Sequence, residues 1–179
     1  LNFLNFPVLM GVINLTPDSF SDGGKYNKKN FGFKHANYLI KKGCEILDIG
    51  GESTRPGAKD VNKTIEWKRI NETLKKIRKL NKFISLDTRK SWIMEKGIQN
   101  KVNLINDVSG LQYDANTPSI LKKYKIPFVI NHIQGSPKNM QKNPKYKNVL
   151  LDIYDFFENK IKKIRSLGIK HNNIILDPG

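Results

Sequence analysis

Residues that can do chemistry recur at or near the ends of short apolar runs in this sequence. Six such runs end in side chains of this kind, namely Asn14, Asp48, Asp87 with Thr88, Asn106 with Asp107, Asn131 with His132, and Asp177. Carboxylates and carboxamides recognise ligand edges that are rich in N–H donors, and they bind hard metal ions. Since the ends of parallel strands meet at one edge of a sheet, we expect these side chains to share one site.

Two longer polar segments follow the first two apolar runs. Residues 14–24 combine polar side chains with Phe20 and adjacent glycines. Residues 48–57 contain two adjacent glycines and Arg55, whose planar fork suits a phosphate or a carboxylate. Arg55 is one of only five arginines, and although a solvated surface arginine is the alternative, its Ser, Thr and Gly neighbours favour anion binding. Irregular segments in such positions are typical of lids and binding loops.

The elements that must position these residues alternate along the chain. Apolar runs of four to six residues are typical of strands buried on both faces of a parallel sheet, and they cover residues 8–13, 45–49, 83–86, 102–105, 127–130 and 173–176. Stretches with helical spacing separate them, at residues 31–42, 64–80, 91–99, 118–123 and 147–167. This order predicts an α/β protein with right-handed crossovers.

Two architectures fit that order, an open doubly wound sheet and a (β/α)₈ TIM barrel. An open sheet places ligands mainly at one switch point, whereas a barrel collects groups from all its strand ends, so the sequence favours the barrel. A complete barrel takes about 250 residues and eight strands. We therefore expect a single domain, residues 1–179, with about the first six β-strands present and the C-terminal part missing.

The formal net charge of +16 raises the question of a nucleic-acid partner. The basic residues are nearly all lysines, scattered over helix-like stretches without the interleaved aromatic residues of single-strand binders. Solvated helix faces account better for the charge, so we expect no nucleic-acid partner, although a basic, non-enzymatic binding protein stays as an alternative.

No apolar run approaches the roughly 20 residues that span a bilayer, so we expect no membrane partner. The single cysteine, Cys44, predicts a buried thiol in the reducing cytoplasm.

The two polar segments resemble the signatures of an enzyme family. Residues 14–24 are similar to the first signature of dihydropteroate synthases, and residues 48–57 are similar to the second. Later blocks continue the resemblance along the whole chain, at residues 85–88, 105–110, 132–141 and 176–179. The resemblance implies a transferase of folate biosynthesis, which condenses (7,8-dihydropterin-6-yl)methyl diphosphate with 4-aminobenzoate to give 7,8-dihydropteroate and diphosphate.

The resemblance also implies where the pterin binds. Asp177 matches the family aspartate on the amidine-like edge of the ring, and Asp87 and Asn106 match the groups that read the rest of it. A carboxylate is a natural partner for adjacent N–H donors. An aspartate at a strand end can instead cap the next helix, but we favour the ligand role for Asp87 and Asp177. Asp107 is interpreted as a structural residue that orients the loop around Asn106.

Further roles follow from the same resemblance. Asn14 matches the residue near Mg²⁺, the expected cofactor, which suits a diphosphate leaving group. Asp22 matches a residue placed to favour a pterin methyl cation, and Arg55 would face the diphosphate or order the loops. The expected catalytic residues are Asp22, Arg55, Asp87 and Asp177. The walls of the aminobenzoate pocket and its loops match Phe20, Ser53, Thr54, Arg55 and Pro56.

The sequence departs from the family pattern in two respects. Asn131 stands where many relatives carry an apolar residue, often Met, in the pterin pocket. The family's later basic residues (a lysine after the seventh strand, and an arginine and a histidine near the eighth) are not in the sequence. His132 matches a family histidine, with a structural role and a ligand contact both open.

Alternatives within the same fold are a pterin-binding barrel domain of a methyltransferase and an inactive pterin-binding fragment. A methyltransferase domain is expected to lack the segments at residues 16–20 and 53–56. Relatives form homodimers, so a homodimer is expected at full length. Phe20 and Pro56 match positions where sulfonamide resistance arises and carry the usual residue, so sulfonamide sensitivity is a further expectation.

Overall fold

The computed structural model describes residues 7–16, 30–53, 60–134 and 144–179. In these ranges the chain forms a sheet of six parallel strands. The strands are β1 (Met10–Asn14), β2 (Ile46–Gly50), β3 (Phe83–Asp87), β4 (Leu104–Asp107), β5 (Phe128–Asn131) and β6 (Ile174–Asp177).

A helix lies between each pair of consecutive strands. The helices are α1 (Phe31–Lys41), α2 (Lys63–Ile77), α3 (Ser91–Gln99), α4 (Thr117–Tyr124) and α5 (Val149–Ser166). Short 3₁₀ turns follow α2 at Arg78–Leu80 and precede β6 at His171–Asn173. In the part of the chain that the structure describes, no helix has the length and apolar character needed to cross a membrane.

The order of the strands decides between the two predicted architectures. Each strand pairs with its neighbour in the sequence, in the order β1-β2-β3-β4-β5-β6, so the described sheet has no switch point of the doubly wound kind. Because right-handed crossovers that all step in one direction place every helix on the same side, the other side of the sheet becomes an interior. The prediction of six strands of a barrel is therefore confirmed.

The hydrophobic core fills the layer between the sheet and the helices. Alternation along β1 shows the two sides, because Ile13 is buried on the helix side whereas Val12 is 49% exposed on the interior side. The largest fully buried side chains of this layer include Leu47, Ile49, Ile70, Leu74, Ile77, Ile84, Leu86, Ile93, Met94 and Phe128. Cys44 is buried, as predicted, and carries no disulfide.

The predicted elements lie close to the observed ones. The helix predicted at residues 91–99 is α3, and every predicted strand corresponds to an observed strand. The prediction ends the strands one or two residues early, because it stops at the first polar side chain, whereas Asn14 and Asp87 still pair in the sheet. The side chain of Asn62 caps α2, because it accepts from the Thr64 N–H at 2.9 Å. Gly43 and Gly168 follow α1 and α5 with positive φ, at 93° and 81°, a conformation that favours glycine.

Candidate active site

The strand ends bring the predicted pterin residues Asp87 and Asn106 side by side. In the register of the sheet, Asn14 pairs with Gly50, Gly50 with Asp87, and Asp87 with Asn106. Residues paired in this way point to the same face of a sheet, which here is the interior. A Cβ atom at Gly50 would lie 3.1 Å from Oδ2 of Asp87, so the carboxylate lies across the glycine. The absence of a side chain at position 50 therefore makes room for the Asp87 carboxylate.

The carboxylate of Asp48 accepts a hydrogen bond from the carboxamide of Asn106. The Nδ2 atom of Asn106 donates to Oδ2 of Asp48 at 3.1 Å, and Asp48 is only 4% exposed. The bond uses one of the two N–H donors of this nitrogen, so Asn106 can still present its amide oxygen and its second N–H to a ligand. The other oxygen of Asp48 and the hydroxyl of Ser85 on the facing strand are buried and have no hydrogen-bond partner among the described residues.

Burial and crowding shift the pKa values of these carboxyl groups upward. Burial raises the pKa of Asp87 well above its ordinary value, and the nearby carboxylate of Asp48 raises it further. Burial also raises the pKa of Asp48, and the hydrogen bond from Asn106 offsets only part of this effect. Two carboxylates so close together favour a ligand that brings N–H donors or positive charge. The interior is thus suited to a donor-rich ring edge.

Asp177 lies at the end of the outermost described strand and is exposed. It pairs in register with Asn131, whose Nδ2 donates to Oδ2 of Asp177 at 2.9 Å. The backbone N–H of Gly179 donates to Oδ1 at 3.0 Å. Asp177 is therefore on the same edge of the sheet as Asp87 and Asn106, as predicted, and it has a direct partner that the sequence interpretation did not pair with it.

The predicted metal residue, Asn14, ends β1 at the mouth of the interior. It is exposed and lies across Gly50 from Asp87. Among the residues that the structure describes, no group of three or more His, Cys, Asp or Glu side chains is placed to hold a metal ion. The metal role of Asn14 stays a prediction, and its carboxamide oxygen is a ligand type that hard cations accept.

The loop residues can be placed only in part. Ser53 is partly buried and follows β2 closely, at the start of the second polar segment. The other residues predicted on the two segments lie outside the described ranges, and their roles stay predictions. These residues are Phe20, Asp22, Thr54, Arg55 and Pro56.

A buried ion-pair cluster lies beside the start of the second segment, and the sequence interpretation missed it. Lys90 Nζ lies 2.8 Å from Oε2 of Glu52 and 2.6 Å from Oε2 of Glu66. Glu66 is fully buried and also accepts from the hydroxyl of Thr88 at 2.7 Å. Burial raises the pKa of Glu66, an effect that the hydrogen bonds from Lys90 and Thr88 offset only in part. The two polar residues just after Asp87 and Thr88 were the available signal, since charged residues directly behind a buried strand require partners.

Arg89 extends this cluster to the far side of the second segment. Its Nε lies 2.9 Å from Oε2 of Glu52, and a terminal nitrogen lies 2.7 Å from Asp60. Burial alone would raise the pKa of Glu52, but the hydrogen bonds from Arg89 and Lys90 outweigh it and lower that pKa. The other Glu52 oxygen accepts from the backbone N–H of Val61 at 2.8 Å. Glu52 lies inside the second segment and residues 60–61 lie just past its end, and these bonds hold them together.

Two further polar residues have structural environments. Asp107 accepts from the backbone N–H and the hydroxyl of Ser109, at 2.8 and 2.6 Å, which agrees with the interpretation that it orients the loop after Asn106. His132 is buried, and its ring packs edge-on against Phe156, with ring centroids 4.8 Å apart. The described contacts of the His132 ring are with aromatic residues, which favours the structural alternative for this residue.

A cavity of about 780 Å³ opens on the helix side of the same edge. Residues at or next to the first turns of α2, α3 and α4 contribute to its wall, which includes Lys63, Trp92, Tyr113 and Asn116. Asp87, Asn106 and Asp177 do not line it, so this cavity is separate from the candidate pterin site.

Comparisons with known proteins agree with the geometry. The family model described as pterin binding enzyme matches residues 10–179. The chain is similar to the dihydropteroate synthase of Neisseria meningitidis serogroup C, with 41% identity over 98% of this chain and 63% of the relative. It is also similar to the dihydropteroate synthase of Escherichia coli K12, with 37% identity over 98% of this chain and 62% of the relative. The chain thus spans about three fifths of the length of these relatives.

Solved structures show the same likeness. The dihydropteroate synthase of Yersinia pestis, solved as a sulfonamide drug complex, superposes with a TM-score of 0.88 at 37% identity, over 97% of this chain and 63% of that one. The enzyme of Xanthomonas albilineans, solved with 4-aminobenzoic acid, superposes with a TM-score of 0.86 at 32% identity, over 97% and 61% of the two chains. The enzyme of Burkholderia cenocepacia, complexed with 7,8-dihydropteroate, gives a TM-score of 0.82 at 31% identity, over 97% and 58%.

Proposed function

The chain belongs to the family of pterin-binding enzymes, and from that premise we propose that the protein is a dihydropteroate synthase. As such it is a transferase of folate biosynthesis, which joins the methylene carbon of a dihydropterin methyl diphosphate to the amino group of 4-aminobenzoate. The observation that carries the proposal is the placement of Asp87, Asn106 and Asp177 at one edge of the sheet. The similarity to dihydropteroate synthases over nearly the whole chain supports it.

The chemistry of the pterin ring suits these three residues. One edge of the ring presents adjacent N–H donors in an amidine-like arrangement, and a carboxylate accepts two such donors side by side. Asp177 supplies that carboxylate in the proposal, with Asp87 and Asn106 reading the remaining polar atoms of the ring. Burial raises the pKa values of Asp48 and Asp87, and N–H donors of the ring would stabilise the charged forms of these carboxyl groups.

The proposed reaction breaks the bond between the methylene carbon and the diphosphate oxygen, and the electron pair leaves with diphosphate. The amine nitrogen of 4-aminobenzoate then forms the new C–N bond and loses a proton. In the proposal Asp22 stabilises positive charge that develops on the pterin, and Arg55 faces the diphosphate. Phe20, Ser53, Thr54 and Pro56 form the aminobenzoate pocket, and the two segments exclude water that would otherwise capture the cation.

Mg²⁺ is the proposed cofactor, and Asn14 is the residue of this chain that would hold it. The fit rests on a neutral oxygen ligand at the mouth of the interior, which agrees with a cation bound mainly by diphosphate oxygens and water. When bound, the ion would neutralise charge on the leaving diphosphate. The proposal further includes a cytoplasmic location, a homodimer at full length, and inhibition by sulfonamides that compete with 4-aminobenzoate.

Release of diphosphate tests the proposed function. The protein in its full natural length, with Mg²⁺ supplied, should release diphosphate only when both the dihydropterin methyl diphosphate and 4-aminobenzoate are present. Folded protein that binds a pterin without turnover would indicate a binding barrel or a methyltransferase-type domain instead. A chain that binds no pterin, but binds nucleic acid with an affinity that falls steeply with salt, would support the basic binding protein.

A further inference from the structure

We propose that Asn131 is a positioning residue of the candidate pterin site, which holds the Asp177 carboxylate in the orientation that a two-donor ring edge requires. This inference rests on the proposed function. Asn131 and Asp177 are paired in register at the ends of β5 and β6. The Asn131 carboxamide donates to the Asp177 carboxylate at 2.9 Å. The family resemblance expects an apolar residue at position 131, which would have no such donor.

Both oxygens of the Asp177 carboxylate accept a hydrogen bond. Oδ2 accepts from Asn131, and Oδ1 accepts from the backbone N–H of Gly179 at 3.0 Å. Each carboxylate oxygen can accept two hydrogen bonds, so each retains one acceptor direction. A carboxylate held at both oxygens has a fixed orientation, and each oxygen can still accept one N–H of a two-donor ring edge.

The backbone around Asn131 is itself fixed, which lets its side chain act as an anchor. The N–H of His132 donates to the carbonyl oxygen of Asp177 at 2.8 Å, so β5 and β6 remain paired beyond their last side-chain contact. A Cβ atom at Gly110 would lie 2.9 Å from the carbonyl oxygen of Asn131, so the end of β5 lies close against the loop after β4. The Asn131 amide therefore extends from a backbone that is restrained on two sides.

The exposure of Asp177 explains why an anchor matters. Rotation about the bond between the Cβ atom and the carboxyl carbon is soft in aspartate, and an exposed carboxylate samples many orientations. A ligand that binds only one orientation must offset the conformational entropy that the carboxylate loses on binding. A carboxylate already held in that orientation loses less entropy. Asn106 and Asp48 show the same bond with the roles exchanged, because there a buried aspartate anchors the carboxamide that faces the ligand. The site thus contains two carboxamide–carboxylate pairs, each with one anchoring and one ligand-facing member.

The substitution Asn131→Leu tests the proposal, because leucine has a similar volume and no donor. We expect about a tenfold weaker affinity for 6-hydroxymethylpterin, measured by isothermal titration calorimetry on the protein in its full natural length, as for a lost hydrogen bond to a charged group. The KM for the pterin diphosphate should rise by a similar factor, whereas kcat and the KM for 4-aminobenzoate should change less than about twofold, since only pterin binding loses a contact.

Asn173→Leu is the matched control. Asn173 lies at the other end of β6, where its side-chain amide donates to the carbonyl oxygen of Lys125 at 3.0 Å. This variant loses a hydrogen bond donated by an asparagine amide between the segments that precede β5 and β6, so a general loosening of β5 and β6 would weaken pterin binding in both variants. We expect the pterin affinity of Asn173→Leu to equal that of the wild type.

A double-mutant cycle with Asp177→Ala separates positioning from an independent effect. In the Asp177→Ala background, Asn131→Leu should change the pterin affinity less than about twofold, because the group that it positions is gone. A tenfold loss in both backgrounds, or an Asn131→Leu variant that binds pterin as tightly as the wild type, would overturn the inference. A wild-type protein that neither binds the pterin nor turns over would instead contradict the proposed function itself.

Discussion

Asp87 shows how a single residue in this site depends on its neighbours. Its carboxylate lies across Gly50, pairs in register with Asn106, and is close enough to Asp48 for the two charges to interact. Placing two carboxyl groups in a partly buried interior is unfavourable in the absence of a ligand. The same arrangement favours a ligand that supplies N–H donors. In the proposed function, Asp87 therefore lowers the stability of the folded protein while it recognises the pterin, as is common at functional sites.

Stability as a function of pH tests this conclusion. The raised pKa of Asp87 means that the folded protein retains a proton which the unfolded chain has already released, over the interval between the unfolded and the folded pKa. Stability is therefore lost as the pH rises through that interval. Asp87→Asn removes the charge, so we expect its Tm to exceed that of the wild type by about 2–4 °C at pH 8, corresponding to about 1 kcal/mol.

The Tm difference between Asp87→Asn and the wild type should shrink at pH 5, where more of the wild-type carboxyl group is protonated. Differential scanning fluorimetry at the two pH values measures it. The same variant should lose pterin binding, since it keeps the shape of the residue but removes its charge and replaces one acceptor oxygen with an N–H donor group. A variant that is less stable than the wild type at pH 8 would show that Asp87 is held by favourable contacts instead.

At the scale of the elements, one lysine fastens three of them together. Lys90 lies between β3 and α3 and bridges Glu52, just beyond β2, and Glu66, in the first turns of α2. The three side chains are nearly or fully buried, so their mutual pairing is what makes their charges tolerable. Through Glu52 the cluster also holds the two flanks of the second polar segment. It therefore connects the packing of the barrel wall with the placement of a proposed binding loop.

Lys90→Met is expected to destabilise the protein by about 3–5 kcal/mol, because it leaves the buried carboxylate of Glu66 without its cationic partner and leaves Glu52 with Arg89 alone. Urea unfolding monitored by circular dichroism measures the change. The double variant Lys90→Met with Glu66→Gln should recover part of the loss, since it removes the uncompensated charge of Glu66. This recovery shows whether the destabilisation comes from an unpaired buried charge or from the lost packing contacts of the Lys90 side chain.

Lys123→Met provides the control for this prediction. Lys123 forms an ion pair with Glu95 at 2.9 Å on the surface, where its side chain is 62% exposed. Because exposed pairs contribute little to stability, we expect the unfolding midpoint of this variant to match that of the wild type. A comparable loss in both variants would mean that removal of any lysine destabilises the protein.

At the scale of the whole molecule, the described sheet has two outer strands and an uncovered interior. Met10, Val12 and Leu176 are exposed on or near these strands. A second exposed apolar group lies on α5, where Leu150 is 78% exposed and Val149, Leu151 and Tyr154 are also exposed. Unpaired strand edges and contiguous apolar surface promote association between copies of a protein.

Residues 1–179 produced by themselves are therefore expected to be poorly stable, to associate, and to have essentially no synthase activity. Size-exclusion chromatography with light scattering should show oligomers or aggregates, and a dye that binds exposed apolar surface should fluoresce strongly. The protein in its full natural length, at the same concentration, should show neither a broad mass distribution nor strong dye binding. Full activity of residues 1–179 as a stable monomer would contradict the expectation of further barrel strands.

Much of the fold and part of the site could be predicted from the sequence. The alternation of apolar runs and helical stretches predicted every described strand and helix, because burial on both faces of a parallel strand leaves a continuous apolar run. The polar residues at the run ends predicted that Asp87, Asn106 and Asp177 share one edge of the sheet, since parallel strands all end on the same side. These are local patterns, and each can be read within a few residues.

The tertiary structure decided which of those residues contact each other. Asn106 meets Asp48 across 58 residues of sequence, and Asn131 meets Asp177 across 46. Lys90 reaches Glu66 across 24 residues. Such pairs depend on the register between strands and on the packing of helices against them, and register has no local signal in runs that are apolar throughout. The sequence by itself thus determined the kinds of groups and the edge where they lie, whereas the folded sheet decided which carboxylates are anchored, crowded or paired.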